Sequence, residues 1–146
     1  MDTYVCGRCG FVAFGQAPDI CPVCGAPKSA FSLDNSAVKK PSDPENLSEL
    51  EKKHIPVVNL VKKCGLVGPG CVDANIRIGE ILHPSEAKHF ITYIDVYLDR
   101  KFIARVHLTP ENLNPAAGIH LRASSGKLLA MENCNLHGRW MTEVTI

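Results

Sequence analysis

This 146-residue sequence is nearly without net charge: sixteen basic and fifteen acidic residues leave a formal +1. Nothing global therefore draws it toward nucleic acid or a membrane surface. It lacks any apolar run near the ~20 residues that span a bilayer. Its first residues, Met1-Asp2-Thr3-Tyr4, lack the basic start and apolar core of a secretory signal. It has no internal repeat, no low-complexity tract and no clear helical periodicity. Membrane and nucleic-acid partners are not expected, and the chain reads as cytoplasmic. With 45% apolar and 21% charged residues the composition is that of a soluble globular protein. What stands out is seven cysteines and six histidines. Disulfides are rare in a reducing compartment, so clustered cysteines point to metal binding or redox chemistry.

The cysteines of the paired Cys-x-x-Cys motifs all precede residue 25, and a polar stretch with two prolines, residues 34–47, reads as a linker. Beyond it come short β-rich runs broken by Gly and Pro, at 55–61, 72–78, 90–98, 101–108, 119–123, 128–134 and 139–144. In the run 102–108 the apolar Phe102, Ala104, Val106 and Leu108 are expected on one face, with Arg105 and His107 on the other. Asp99-Arg100 suggests a tight hairpin. Seven short strands without a helix predict an antiparallel sandwich or barrel. The expected organisation is a metal ribbon at 1–33, a linker at 34–47 and a β domain at 48–146.

Cys6-Gly7-Arg8-Cys9-Gly10 and Cys21-Pro22-Val23-Cys24-Gly25 are two chelating loops. Two intervening residues let both sulfurs reach one ion, and the following glycine permits the turn that aims N–H groups at sulfur. Together they supply a tetrahedral four-thiolate cage. A unit of 33 residues cannot bury enough apolar surface to fold alone, so a metal staple is also expected on stability grounds. Thiolate tetrahedra suit iron and zinc alike. Tyr4-Val5-Cys6, Cys9-Gly10-Phe11, Ala17-Pro18, the run Cys21 to Pro27 and Phe31 resemble rubredoxin, especially the short form attached to rubrerythrins. That resemblance implies a one-electron iron centre; a zinc ribbon without redox function is the alternative. Arg8 and Lys28 are the segment's only basic residues, too few for a nucleic-acid-binding ribbon.

Further on, His83 and His89 are six residues apart with Pro84 disfavouring a helix at His83, so the pair suits a loop curling around an ion. Cys134-Asn135-Leu136-His137-Gly138 is another two-residue chelating loop. Lys53-His54-Ile55-Pro56, Gly79-Glu80-Ile81-Leu82-His83-Pro84, His89-Phe90-Ile91 and Cys134 to Gly138 resemble, in order, the motifs of the superoxide reductases, the desulfoferrodoxin and neelaredoxin group. The resemblance covers about residues 48–146. It implies an immunoglobulin-like seven-stranded antiparallel sandwich. It also implies one iron ion held by His54, His83, His89 and His137 around the equator with Cys134 axial, making two mononuclear irons in the whole chain. Five protein ligands exceed the four of structural zinc and leave a sixth octahedral position open.

The implied reaction is reduction of superoxide to hydrogen peroxide, with electrons from an external donor such as rubredoxin, possibly relayed by the N-terminal centre. The other reading is an electron-transfer protein whose second metal is structural. The resemblance also implies a dimer or tetramer. It gives Lys53 the task of drawing in the anion and ordering a protonating water. At about 4 Å a charge pair is worth ~1 kcal/mol in water and ~4 kcal/mol at an effective dielectric of 20. Two departures stand out. The family places glutamate directly before the lysine as an occasional sixth ligand, but Lys52 is here and Glu51 lies one residue earlier. The N-terminal unit has separated cysteines in its second loop, where a desulforedoxin-type unit has adjacent ones. His107 and His120 match no ligand motif and are expected to be structural or solvent-facing. Cys64 and Cys71 flank a glycine-rich turn, as free thiols or as a disulfide across its base.

Overall fold

Burial alternates along the strands of the larger domain. In Val72–Ile78 residues 72, 74, 76 and 78 are buried and the intervening ones are not, the period of a strand with one face in a core. The computed structural model describes residues 1–146. A first unit comprises β1 (Thr3–Cys6), β2 (Val12–Phe14) and β3 (Phe31–Leu33) in the order β2-β1-β3. The remainder holds β4 (Val38–Lys39), α1 (Glu49–His54), β5 (Pro56–Val61), β6 (Val72–Ile78), β7 (Ile91–Leu98), β8 (Lys101–His107), β9 (Ala116–Leu121), β10 (Lys127–Cys134) and β11 (Gly138–Thr145).

Strands β5-β6-β9 form one sheet and β4-β11-β10-β7-β8 the other. Seven of them make the expected sandwich around a core that includes Ala74, Ile76, Ile78, Ile94, Val96, Leu128 and Ala130. The eighth, β4, comes from the stretch read as linker and pairs parallel to β11. That stretch is thus partly structured, and the larger sheet is not wholly antiparallel. The Asp99-Arg100 hairpin is present, with both residues at positive φ (49° and 65°), as its two-residue turn requires.

Two further features depart from the sequence reading. A short helix, α1, precedes β5. Ser48 caps it by accepting from the Glu51 N–H at 3.2 Å, and the Glu51 carboxylate accepts from the Ser48 N–H at 2.9 Å, a reciprocal box. Pro56 ends it by pushing Ile55 to extended backbone. Second, Val96 pairs with Ala104 but Tyr97 pairs with Phe102, so Ile103 is an extra, unpaired residue. This bulge turns Phe102 to the face opposite Ala104 and Val106, and the four apolar residues of that run do not share one face.

The face that receives Phe102 carries the first unit. Phe11, Val12 and Ala13 pack there with Tyr97, Leu129, Met131 and Met141 as a second buried core. The Phe11 ring stacks on Tyr97 at 6.0 Å and meets Phe102 edge-on at 5.2 Å. Both faces of the larger sheet are therefore covered, one by β5-β6-β9 and one by the N-terminal unit.

Candidate metal centres

The two N-terminal loops bring four thiols together. Cys6 Sγ lies 3.7 Å from Cys24 Sγ, and Cys9 Sγ 3.6 Å from Cys21 Sγ. A tetrahedral ion at about 2.3 Å from each sulfur separates its ligands by about 3.8 Å, so the cage has the right size. Gly10 and Gly25, at φ 77° and 76°, close the loops and donate N–H to the carbonyls of Cys6 and Cys21. Burial pushes the Cys6 thiol up, but the N–H groups of Cys9 and Arg8 outweigh it and bring the thiol to about 7. Burial pushes Cys9 up to about 12. A cation in the cage would hold all four as thiolates.

The second cluster lies at one end of the sandwich. Around it the imidazole rings follow one another at 4.8 Å (His54–His83), 4.5 Å (His83–His89), 5.1 Å (His89–His137) and 4.9 Å (His137–His54). The His54–His89 diagonal is 6.3 Å. The rings thus mark the corners of a square, with His83 opposite His137. Neighbouring rings are inclined at 68° to 80°. Cys134 Sγ sits 3.6 Å from His137 Nδ1. Donor atoms of His54, His89, Cys134 and His137 all lie within 4.8 Å of one another.

Local structure decides which nitrogen each ring presents. His54 is the last residue of α1, and its Nδ1 reaches the Leu50 carbonyl at 2.7 Å. His83 Nδ1 reaches the Pro84 carbonyl at 2.7 Å. Those contacts fix the tautomer with the proton on Nδ1 and free Nε2 as an electron-pair donor. Nε2 of His54, His83 and His89 is buried with no hydrogen-bond partner. Buried polar nitrogens are rarely left unpaired, and three converging in one place fit a cation. Burial also lowers the basicity of His54, His83 (to about 4) and His89, keeping the rings neutral as ligands must be. The thiol of Cys134 is pushed up by burial and drawn down by the N–H groups of Leu136 and His137.

Several supporting residues were not legible as such. Gly79 lies against the end of α1: a Cβ there would stand 2.3 Å from the Lys52 carbonyl oxygen, so only glycine lets the 79–83 loop meet the helix that delivers His54. Asn135 accepts from the Phe90 N–H at 3.0 Å and donates to the Lys88 carbonyl at 3.0 Å, tying the Cys134 loop to the segment of His89. The Trp140 ring lies tilted against His54 at 5.1 Å, and both Trp140 Nε1 and Lys39 Nζ donate to the His137 carbonyl. An extra residue in β7, Thr92, shifts the register beside Cys134; bulges re-aim side chains in this way at sites. Glu132 is wholly buried on β10 without a partner, and desolvation pushes its carboxyl up to about 9. A glutamate in an apolar strand was its only sequence signal.

Glu51 stands one residue ahead of the position where the family carries its glutamate. The Glu51 carboxylate is committed elsewhere, to the N–H groups of Ser48 and Ser42 at 2.9 and 3.1 Å. Lys52 pairs with Glu49 at 3.5 Å. Lys53 is exposed, forms no ion pair, and its charge is felt by His89. His107 is exposed at the end of β8, and His120 lies apart from both centres, beside Cys64 and Cys71.

Residues 46–143 match the family model described as desulfoferrodoxin, and residues 4–32 match the rubredoxin-like domain of rubrerythrin. A desulfoferrodoxin of Syntrophotalea carbinolica is 30% identical over 148 residues, covering 98% of this chain and 96% of that protein. A superoxide reductase of Pyrococcus furiosus is 32% identical over 115 residues, covering 65% of this chain and 89% of its own. Among solved structures, the superoxide reductase (neelaredoxin) of Ignicoccus hospitalis aligns with a TM-score of 0.61 at 26% identity, over 75% of this chain and 94% of that one.

Proposed function

The chain belongs to the desulfoferrodoxin family, and on that premise we propose that it reduces superoxide to hydrogen peroxide at an iron ion held by His54, His83, His89, His137 and Cys134. The observation that carries this reading is the square of imidazoles with three unpartnered Nε2 atoms beside a buried thiol. Imidazole and thiolate suit iron, and five donors are one more than a structural zinc site uses. Bound there, iron supplies the electron that converts superoxide, with two protons, to hydrogen peroxide. The chain's own groups do the rest. The four neutral imidazoles add no charge against an incoming anion. Lys53, unpaired at the rim, attracts that anion and orders the water that gives up a proton. Glu51 takes no part, because it caps α1.

In the same reading Cys6, Cys9, Cys21 and Cys24 hold a second, one-electron iron, with zinc as the competing occupant. The contact between the two loops supports a relay. Arg139, which directly follows the Cys134–Gly138 loop, donates from Nε to the Gly10 carbonyl at 3.1 Å. Tyr93 Oη donates to the same carbonyl at 3.2 Å. Electrons enter from an external carrier such as a rubredoxin, in a cytoplasmic homo-oligomer. The test follows oxygen and peroxide while the reduced, iron-loaded chain consumes superoxide with a donor present. Peroxide without oxygen release is expected; oxygen release in step with superoxide loss would mean dismutation and overturn the reading.

A further inference from the structure

Far from either centre, Cys64, Cys71, Asp73 and His120 bring one potential ligand atom each to within 4.8 Å of one another. Asp73 on β6 and His120 on β9 are directly paired across the sheet. Both lie on its outer face, since Val72, Ala74 and Leu121 occupy the core. Cys71 immediately precedes β6, and Cys64 stands in the glycine-rich loop after β5. We propose that these four side chains bind one divalent metal ion of the zinc class, which pins the loop between β5 and β6 to the outer face of the smaller sheet.

The distances carry the argument. His120 Nδ1 lies 3.4 Å from Cys64 Sγ and 3.6 Å from Cys71 Sγ, and Cys71 Sγ lies 3.5 Å from Asp73 Oδ1. An ion about 2.3 Å from sulfur and about 2.0–2.2 Å from nitrogen or oxygen separates such tetrahedral ligands by about 3.5 Å. The N-terminal cage shows the matching spacing for sulfur pairs, 3.7 and 3.6 Å. His120 Nδ1 also touches Asp73 Oδ1 at 2.8 Å, closer than the roughly 3.4 Å of two such ligands on a tetrahedral ion, so this pair opens when the ion enters. Three groups thus converge on one ring nitrogen, which carries at most one proton. A cation engages all four ligand atoms at once, whereas the ring nitrogen can give its single proton to only one of its three neighbours. The Val67 N–H points at Cys64 Sγ at 3.2 Å, the N–H···S support also found in the N-terminal loops.

Two thiolates, one carboxylate and one neutral imidazole are four donors of the kinds zinc takes, enough to close a tetrahedral site. Binding releases the two thiol protons. Two thiolates and a carboxylate around a divalent ion leave a net charge of about −1, next to the exposed Lys62 and Lys63. β5 separates this cluster from His54 by about 17–20 Å of extended chain, so the ion takes no part in the superoxide site. It cross-links a loop to β9, an edge strand of its sheet.

The test counts metal ions by native mass spectrometry on the full chain. Protein is purified without oxygen, loaded with iron and zinc, and dialysed against a mild chelator. Wild type is expected to retain three ions per chain, and His120→Ala and Cys64→Ser two each. The absorption of the iron centres serves as the check of folding in both variants. A cobalt-loaded difference spectrum, wild type minus His120→Ala, should show tetrahedral thiolate–cobalt bands. Equal metal counts in wild type and variants would overturn the proposal. So would a mass deficit showing a Cys64–Cys71 disulfide in protein purified without oxygen.

Discussion

The N-terminal centre takes its four sulfurs from two tight loops of a unit that spans about 33 residues, whereas the second centre gathers its donors from three places on a sandwich. His54 comes from the end of α1, His83 and His89 from the loop between β6 and β7, and Cys134 and His137 from the β10–β11 turn. In the first, the ligands are local and a unit of that size is expected to need its metal; in the second, the donors are set on a sandwich that has a core of its own. The difference appears in the cores. The sandwich buries its own cluster between two sheets. The N-terminal unit shares its cluster with Tyr97, Leu129, Met131 and Met141 of the other domain.

The largest effect follows from removing one local ligand. Cys21→Ser is expected to release the first metal, whose binding contributes about 10–16 kcal/mol in comparable small zinc units. Hydrogen-exchange protection should vanish across β1–β3 and survive in β6, β7 and β10. Uncovered Tyr97 and Met131 should then promote self-association. Retained protection in β1–β3 would mean that docking, not metal, holds the unit together.

The docking itself is tested by Arg105. Its guanidinium forms a bidentate pair with buried Asp95 at 2.5 and 2.7 Å and donates to the Cys9 carbonyl at 2.8 Å. Arg105→Ala strands Asp95 without its partner, which costs about 3–5 kcal/mol at such sites. A lowered denaturation midpoint is expected, with the N-terminal unit unfolding ahead of the sandwich. Because Asp95 and Arg105 are paired on neighbouring strands of the sandwich, a sandwich that loses stability while the N-terminal unit stays docked would show that the arginine serves the sheet and not the docking.

Gly79→Ala sharpens the comparison from the other side. The new Cβ must displace the end of α1, a strain of about 1–3 kcal/mol by the usual cost of overpacking. His54 moves with the helix, so iron affinity at the second centre should fall while the first centre's absorption is untouched. Equal metal affinity in wild type and variant would show that the donors tolerate movement.

Much of this was legible in the sequence. Cysteine loops declare themselves by spacing, and seven strands by alternation. The short helix was missed because six residues are too few for a helical period, although Ser48-Glu49-Leu50-Glu51 is a capping-box pattern. The Ile103 bulge was missed because an inserted residue does not break an apolar pattern. β4 pairs through its backbone, which leaves no side-chain signature in a polar stretch. The covered outer face did have a signal: Leu128-Leu129-Ala130-Met131 runs apolar without alternation, as strands buried on both faces do. His120 was set aside because the residues it meets, Cys64, Cys71 and Asp73, are distant in sequence.

The smallest effect concerns the hydrogen bonds that join the centres. The Gly10 carbonyl accepts from both Arg139 and Tyr93, and a Cβ at position 10 would stand 2.9 Å from the Tyr93 oxygen. In Tyr93→Phe, Arg139 still satisfies that carbonyl, so the loss should stay at about 0.5–1.5 kcal/mol, the net worth of one hydrogen bond. Arg139→Met removes instead the link that continues into the Cys134–Gly138 loop. Stopped-flow oxidation by superoxide, followed by the response of the first centre, compares the two. If the electron path runs through Arg139, Arg139→Met should slow transfer between centres and Tyr93→Phe should not. Equal slowing would assign the path to the phenol and its strand. No slowing in either would leave these bonds as attachment between domains, and the second centre would then draw its electrons directly from the external donor.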